Sequence, residues 1–248
     1  MTNPIQPFPT FQEFAKSLVK VSEEHDAMEA FLARLPREIY YRYKYPEILI
    51  NRNFRSIPKV GPYPEDVRNF FNNTKELGVL VQGLAGGSDD VKALVLQEWI
   101  VENIEYVSDE SQLGLEEHWM YPSETLFTRK GDCDDGAILM ANMMVASGIP
   151  YWKARINAGM VYPPSGSPGG HAYVTYYCEE GSKWVALDWC FFPDVNVPII
   201  DKPDYKYSKL YGDGIVWFTF DREHSYAKSA SAIEEWEKAR DAPRVAKG

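Results

Sequence analysis

Long apolar runs are missing from this chain, and so is any excess of basic residues. No stretch approaches the roughly 18 consecutive apolar residues of a membrane-spanning helix, so a transmembrane protein is not expected. Lys and Arg total 26 against 36 Asp and Glu, a net charge of −10. Nucleic acid and anionic bilayers are both recognised through clustered positive charge, so neither is an expected partner. The opening residues MTNPIQPFPTFQEFAKSL lack the basic and apolar regions of a secretory signal peptide. A cytoplasmic setting is the expectation, with a virion or another secretion route left open. Cysteine is scarce: Cys133, Cys178 and Cys190 are all there is. An odd, small set does not make a disulfide framework, and a reducing compartment is the simpler setting.

What is present is ordinary for a globular protein. The 248 residues are 45% hydrophobic and 25% charged, enough to bury a core without disulfide or metal staples. Aromatics reach 14%, with 16 Tyr and seven Trp, and are read first as packing residues. The group Tyr205, Tyr207, Tyr211, Trp217, Phe218 and Phe220 is accordingly assigned to core or interface.

Apolar residues at helical spacing predict one or two helices between Phe11 and Leu35, ended by Pro36. A further helix is expected over Glu65–Leu77 with Gly78 as its stop. Another runs from about Val91 to Ile104, capped by Asp89 and Asp90. The stretch Glu105–Tyr121 reads as a loop with a short helix. A helix over about Cys133–Ser147 has Asp132 as N-cap, Asp134 and Asp135 in its first turn, and Gly148 and Pro150 beyond its end. The period then changes to two. Strands are expected near Tyr151–Val161, His171–Cys178, Trp184–Cys190 and Ile215–Phe220, and a last helix over Ala232–Ala239. Residues 163–170, rich in Pro and Gly, read as a mobile loop and a possible lid. The resulting organisation is α+β. Residues 1–85 form a helical N-terminal extension packed on the core, 86–221 the core itself, and 222–248 a C-terminal helix and tail.

The chemistry concentrates on three residues. A thiol is an effective nucleophile only as thiolate, which a helix N-terminus and a nearby imidazole both favour. Cys133 stands at such a helix start, but Asp134 and Asp135 oppose ionisation, so a histidine partner is needed. His171 opens a strand after a glycine pair. Asp188 can orient it from the next strand, as the acid of a triad must. With a four-residue turn over 179–182, paired residue numbers across the hairpin sum to 361. His171 and Asp188 then share a face as diagonal neighbours. Cys190 falls on that face and Cys178 on the other, so a Cys178–Cys190 disulfide is not expected.

The segments RKGDCDDGA (residues 129–137), SGIP (147–150), GHAYV (170–174) and LDW (187–189), with Trp184 and the helix end WIVENIEY (99–106), resemble the transglutaminase-like superfamily. The resemblance covers about residues 90–190. It implies a papain-like fold, in which a nucleophile helix packs on an antiparallel sheet carrying base and acid. It also implies cleavage or exchange of amide bonds through an acyl-thioester, without a cofactor, on a peptide or protein substrate. Cys133 would attack, His171 would carry the proton and Asp188 would orient His171. The oxyanion would rest on the backbone N–H of Cys133 and a second donor. Trp119 and His118 are candidates for that donor, and Asp132 and Gly170 for further oxyanion or substrate contacts. Two other readings stand beside this cysteine hydrolase: an assembly scaffold that keeps the fold, and a protein-crosslinking transglutaminase. A zinc site of Cys133, His171, Asp188 and Cys190 lacks the close ligand spacing of structural zinc, and no metal is expected. His25, His118 and His224 are read as structural or surface residues.

Overall fold

The computed structural model of the protein describes residues 47–52, 63–84, 86–163, 167–208, 210–211 and 215–228. The chain divides after residue 46, and the described residues all belong to the second unit. The expected helices within Phe11–Leu35 and Ala232–Ala239 lie outside the described residues.

The centre is a five-stranded antiparallel sheet of order β7-β6-β5-β8-β9. Its strands are β5 (Ala154–Val161), β6 (Gly169–Cys178), β7 (Lys183–Leu187), β8 (Ile215–Phe220) and β9 (Ser225–Ala227). The hairpin register is the expected one: Val174 pairs with Leu187 and Tyr176 with Val185, each pair summing to 361. Two details differ from the sequence reading. Residues Tyr151–Lys153 form a 3-10 turn before β5. The last strand of the hairpin stops at Leu187, because the Asp188 side chain accepts the N–H of Cys190 and Phe191 and turns the chain away. Strand β9, unforeseen, adds an edge to the sheet.

Several short strands and helices lead into this core. Strands β1 (Leu49–Arg52) and β2 (Tyr63–Asp66) pair antiparallel. Helix α1 is Lys75–Leu84 and α2 is Asp89–Asn103. The helix expected over Glu65–Leu77 is thus not found. Asp66 caps a 3-10 turn over Val67–Phe70 instead, and the true helix starts later, where Thr74 Oγ1 accepts the N–H of Leu77. Gly78 lies inside that helix. For α2 the N-cap is Ser88, which bonds the Val91 N–H, and Asp89 and Asp90 already belong to the first turn.

Strand β3 (Glu105–Tyr106) pairs in parallel with β4 (Lys130–Gly131). Between them lie α3 (Asp109–Leu113) and α4 (Pro122–Thr128). Pro122 occupies the first turn of α4 and Glu124 accepts the N–H of Tyr121, a start signal present in the sequence. Helix α5 (Cys133–Ala146) is buried almost all round, from Asp134 to Met144. It packs on β5 and β6 on one side and on α1, α2 and α4 on the others. A helix apolar on every face belongs in the middle of a core. Gly136 is needed for this packing: a Cβ there would lie 2.2 Å from the Trp189 ring.

Candidate active site

The start of α5 is fixed by a reciprocal cap. Asp132 accepts the N–H of Asp135, and Asp135 Oδ2 accepts the N–H of Asp132. The other oxygen of Asp135 accepts the N–H of Met120 at 2.7 Å. Cys133 is therefore the first helical residue, and its N–H has no acceptor within the helix. Its carbonyl takes the indole N–H of Trp189 at 3.2 Å. The backbone N–H of Ala172, the residue after His171, faces its thiol and favours the thiolate. Burial, and then the charge of Asp132, push the thiol well above its ordinary value; the Ala172 N–H pulls the other way and is outweighed.

His171 is the third residue of β6 and 8% exposed. Its pairing partner is Gly159, at a bulge between β5 and β8. A Cβ at Gly159 would lie 2.1 Å from the Ile215 carbonyl oxygen, so only glycine allows β8 this close. Bulges of this kind re-aim neighbouring side chains at functional sites. The imidazole packs between the rings of Tyr173 and Phe191, 5.9 and 5.2 Å away. Its Nε2 lies 2.6 Å from Asp188 Oδ2.

Asp188 is 1% exposed, and a lone buried carboxylate would be costly. It is not alone. Oδ2 also accepts the Tyr211 hydroxyl at 2.8 Å, and Oδ1 accepts the N–H of Cys190 and Phe191 at 3.0 and 3.1 Å. Burial by itself raises the carboxyl, but the bonds from His171 and the two amides prevail and hold it below the usual range. Gln97 of α2 donates to the Asp188 carbonyl at 2.7 Å, fixing the backbone as well. With Nε2 given to an ionised carboxylate, Nδ1 is the ring nitrogen left to act as base.

A cavity of about 260 Å³ opens beside the imidazole. Tyr106, Val161, Pro163, Ser167, Gly169, Gly170, His171, Cys190 and Phe191 line it. Gly170 is thus at the site. Trp119 is not: its indole N–H goes to Glu117 at 2.6 Å, and its ring packs on Phe70 and Phe220 in the core. His118 is fully buried and its backbone N–H bonds Asp109. The four residues weighed for zinc fall into separate groups among the described residues. Donor atoms of His171, Asp188 and Cys190 lie within 4.8 Å of one another, whereas Cys133 groups with Asp132 and Asp134. All three cysteines are free.

Three contributors were not legible in the sequence. Tyr211, counted there among core aromatics, bonds the acid. Gln97 holds the acid's backbone, and Tyr106 faces the cavity. Of the other histidines, His224 Nδ1 pairs with Asp221 at 3.0 Å, and His25 lies outside the described residues. No helix among the described residues is long and apolar enough to cross a membrane.

A thiol-bearing helix start packed on an antiparallel sheet that carries an imidazole–carboxylate pair is the architecture of the papain-like class. Residues 80–189 match the family model described as the transglutaminase-like superfamily. Solved structures with a similar course include calcium-bound LapG of Legionella pneumophila, at 19% identity and TM-score 0.45, covering 72% of this chain and 91% of that one. EGTA-treated LapG aligns at 18% identity and TM-score 0.46, covering 65% and 83%. A proposed cysteine protease of Cytophaga hutchinsonii aligns at 18% identity and TM-score 0.38, covering 73% and 63%. No curated protein matches the chain.

Proposed function

We propose that this protein is a cysteine-dependent hydrolase of peptide or carboxamide bonds, with Cys133, His171 and Asp188 as its triad. The observation that carries the reading is the His171–Asp188 pair. A carboxylate buried to this degree, held by Tyr211 and two backbone amides, orients one imidazole nitrogen and leaves the other as a base at the wall of an open cavity. The thiol of Cys133 sits beside the next residue on the same strand.

Burial and the charge of Asp132 favour the protonated thiol, and in this reading its proton leaves during attack rather than before it. Cys133 Sγ forms the bond to the carbonyl carbon as His171 Nδ1 takes the proton. The tetrahedral oxyanion collapses, the C–N bond breaks, and His171 returns the proton to the departing amine. Water, deprotonated by His171, then resolves the thioester to a carboxylic acid and the free thiol. Asp188 stabilises the imidazolium formed in both halves.

p-Nitrophenyl acetate tests the reading. The wild type is expected to release nitrophenolate in a burst, with an acetyl group mapped to Cys133. Cys133→Ala removes the burst and His171→Ala slows it by about 10²-fold or more. Acetylation spread evenly over Cys133, Cys178 and Cys190, and indifferent to His171, would move the scaffold reading to first place. Once acylation is established, supplying a lysine-like amine separates crosslinking from hydrolysis by the product formed.

A further inference from the structure

The reaction just proposed needs a second donor for the oxyanion, and the indole of Trp119 is already committed to Glu117. We propose that the hydroxyl of Tyr106 is that donor, completing an oxyanion hole with the backbone N–H of Cys133; the inference rests on the acyl-transfer reading above.

The placement comes from the backbone. Tyr106 pairs in parallel with Gly131, two residues before the nucleophile. The flanking bonds, Glu105 N–H to Arg129 and Val107 N–H to Gly131, are both 2.9 Å long and fix the register. Tyr106 therefore reaches the cavity from the side of the α5 N-terminus, while His171 reaches it from β6. An oxyanion belongs on the nucleophile's side, by the helix N–H groups and away from the base. Among the described residues the cavity wall carries one other hydroxyl, Ser167, and that residue lies on the strand side, two positions before Gly169.

The ring is held as well as aimed. It lies against Trp189, with centroids 5.8 Å apart, and the same indole donates to the Cys133 carbonyl. Tyr106, Trp189 and Cys133 thus form one connected unit. Tyr106 is nevertheless 55% exposed, so a substrate can reach it. Burial first, and then the acidic groups around it, push the phenol up to about 12. A phenol in that condition stays a donor at any working pH. The Asp132 side chain is already engaged as the cap of α5, where it accepts the N–H of Asp135.

Tyr106→Phe keeps the ring on Trp189 and removes only the hydroxyl. Two probes of Cys133 then separate the roles. Attack on p-nitrophenyl acetate builds a tetrahedral oxyanion. Displacement of iodide from iodoacetamide builds none. The variant is expected to acylate roughly 10²-fold more slowly, the usual effect of deleting one such donor, while alkylation of Cys133 by iodoacetamide stays within about twofold. Tyr106→Phe that acylates as fast as the wild type overturns the proposal and leaves the triad reading standing. Equal loss in both reactions overturns it too, since that marks a displaced nucleophile. A wild type that does not acylate Cys133 at all removes the triad reading and this inference together.

Discussion

Tyr211 places its hydroxyl 2.8 Å from Asp188 Oδ2, the same oxygen that receives His171 Nε2 at 2.6 Å. The acid of the candidate triad therefore answers to a residue 23 positions downstream, delivered by a different part of the chain.

Tyr211→Phe should expose that dependence. A hydrogen bond to a charged group contributes roughly 1.5–3 kcal/mol, and Asp188 keeps its bonds from His171 and the amides of Cys190 and Phe191. Cys133 acylation is expected to slow by about tenfold, or ~1.4 kcal/mol in the barrier. The stability effect has a sign. A carboxyl held below its unfolded value stabilises the fold above that value, and the contribution fades as pH falls through the folded one. The variant should therefore lose stability at pH 7 and lose less in acid. Urea titrations at pH 7 and pH 3.5 check this; an equal loss at both would mean that Tyr211 acts through packing alone.

Gly136→Ala separates two effects of opposite sign. Within an exposed helix the change would stabilise by about 1 kcal/mol. Here the added methyl meets the Trp189 ring at 2.2 Å. Overpacking of a tight core costs roughly 1–3 kcal/mol, and a shifted Trp189 moves its neighbours Asp188 and Cys190. Lower stability in urea, an altered tryptophan emission and slower acylation are expected together. A more stable variant with unchanged emission would show that the indole has room the packing denies it.

How far the sequence reaches is visible at these same residues. Cys133 and Asp132 are legible because helix starts have a local grammar of caps and turn breakers. The register summing to 361 is legible because four turn residues fix a hairpin. From it the closeness of His171 and Asp188 follows. Asp188 as a turn residue beyond Leu187 is not legible, since period-two alternation runs on through Trp189. Tyr211 is hidden for another reason. It arrives through an irregular stretch whose course is set by the buried Lys202, bonded to Asp194, and by Lys183, bonded to the carbonyls of Ile200 and Lys202. No spacing rule reports such staples. Tyr106 depends on a two-residue parallel pairing too short to leave a pattern. Helix α4 is the exception, since Pro122 and Glu124 do signal it.

Asp134 carries a cost that pH should reveal. It is 2% exposed, and burial with the charges of Asp135 and Asp132 raises its carboxyl well above the ordinary value. A raised carboxyl favours folding below its unfolded value, near about 3.9, and that advantage is lost as pH rises toward the folded one. Asp134→Asn should leave stability nearly unchanged at pH 4 and increase it at pH 8. Each kcal/mol relieved would raise the melting temperature by roughly 2–4 °C. Calorimetry at the two pH values reads it directly, and a variant less stable at pH 8 would mean the ionised side chain is compensated by something the described contacts do not include.

Asp132→Asn addresses the nucleophile itself. Asparagine caps a helix about as well as aspartate, so α5 should keep its start while losing the charge that weighs most on the thiol. That charge is the second cause, after burial, of the raised Cys133 thiol. Removing it makes the thiolate easier to form. In a pH series of iodoacetamide labelling, the midpoint for Cys133 is expected above the ordinary thiol value of about 8.5 in the wild type, and lower in Asp132→Asn. Labelling at pH 8 should then be several-fold faster. The consequence for catalysis differs. If the proton moves to His171 during attack, a more acidic thiol eases that transfer, and acylation by p-nitrophenyl acetate should also quicken at neutral pH. A midpoint already well below 8 in the wild type would instead mean a resting thiolate–imidazolium pair. The charge of Asp132 would then act mainly on the helix start, and the neutral-thiol mechanism would have to be abandoned.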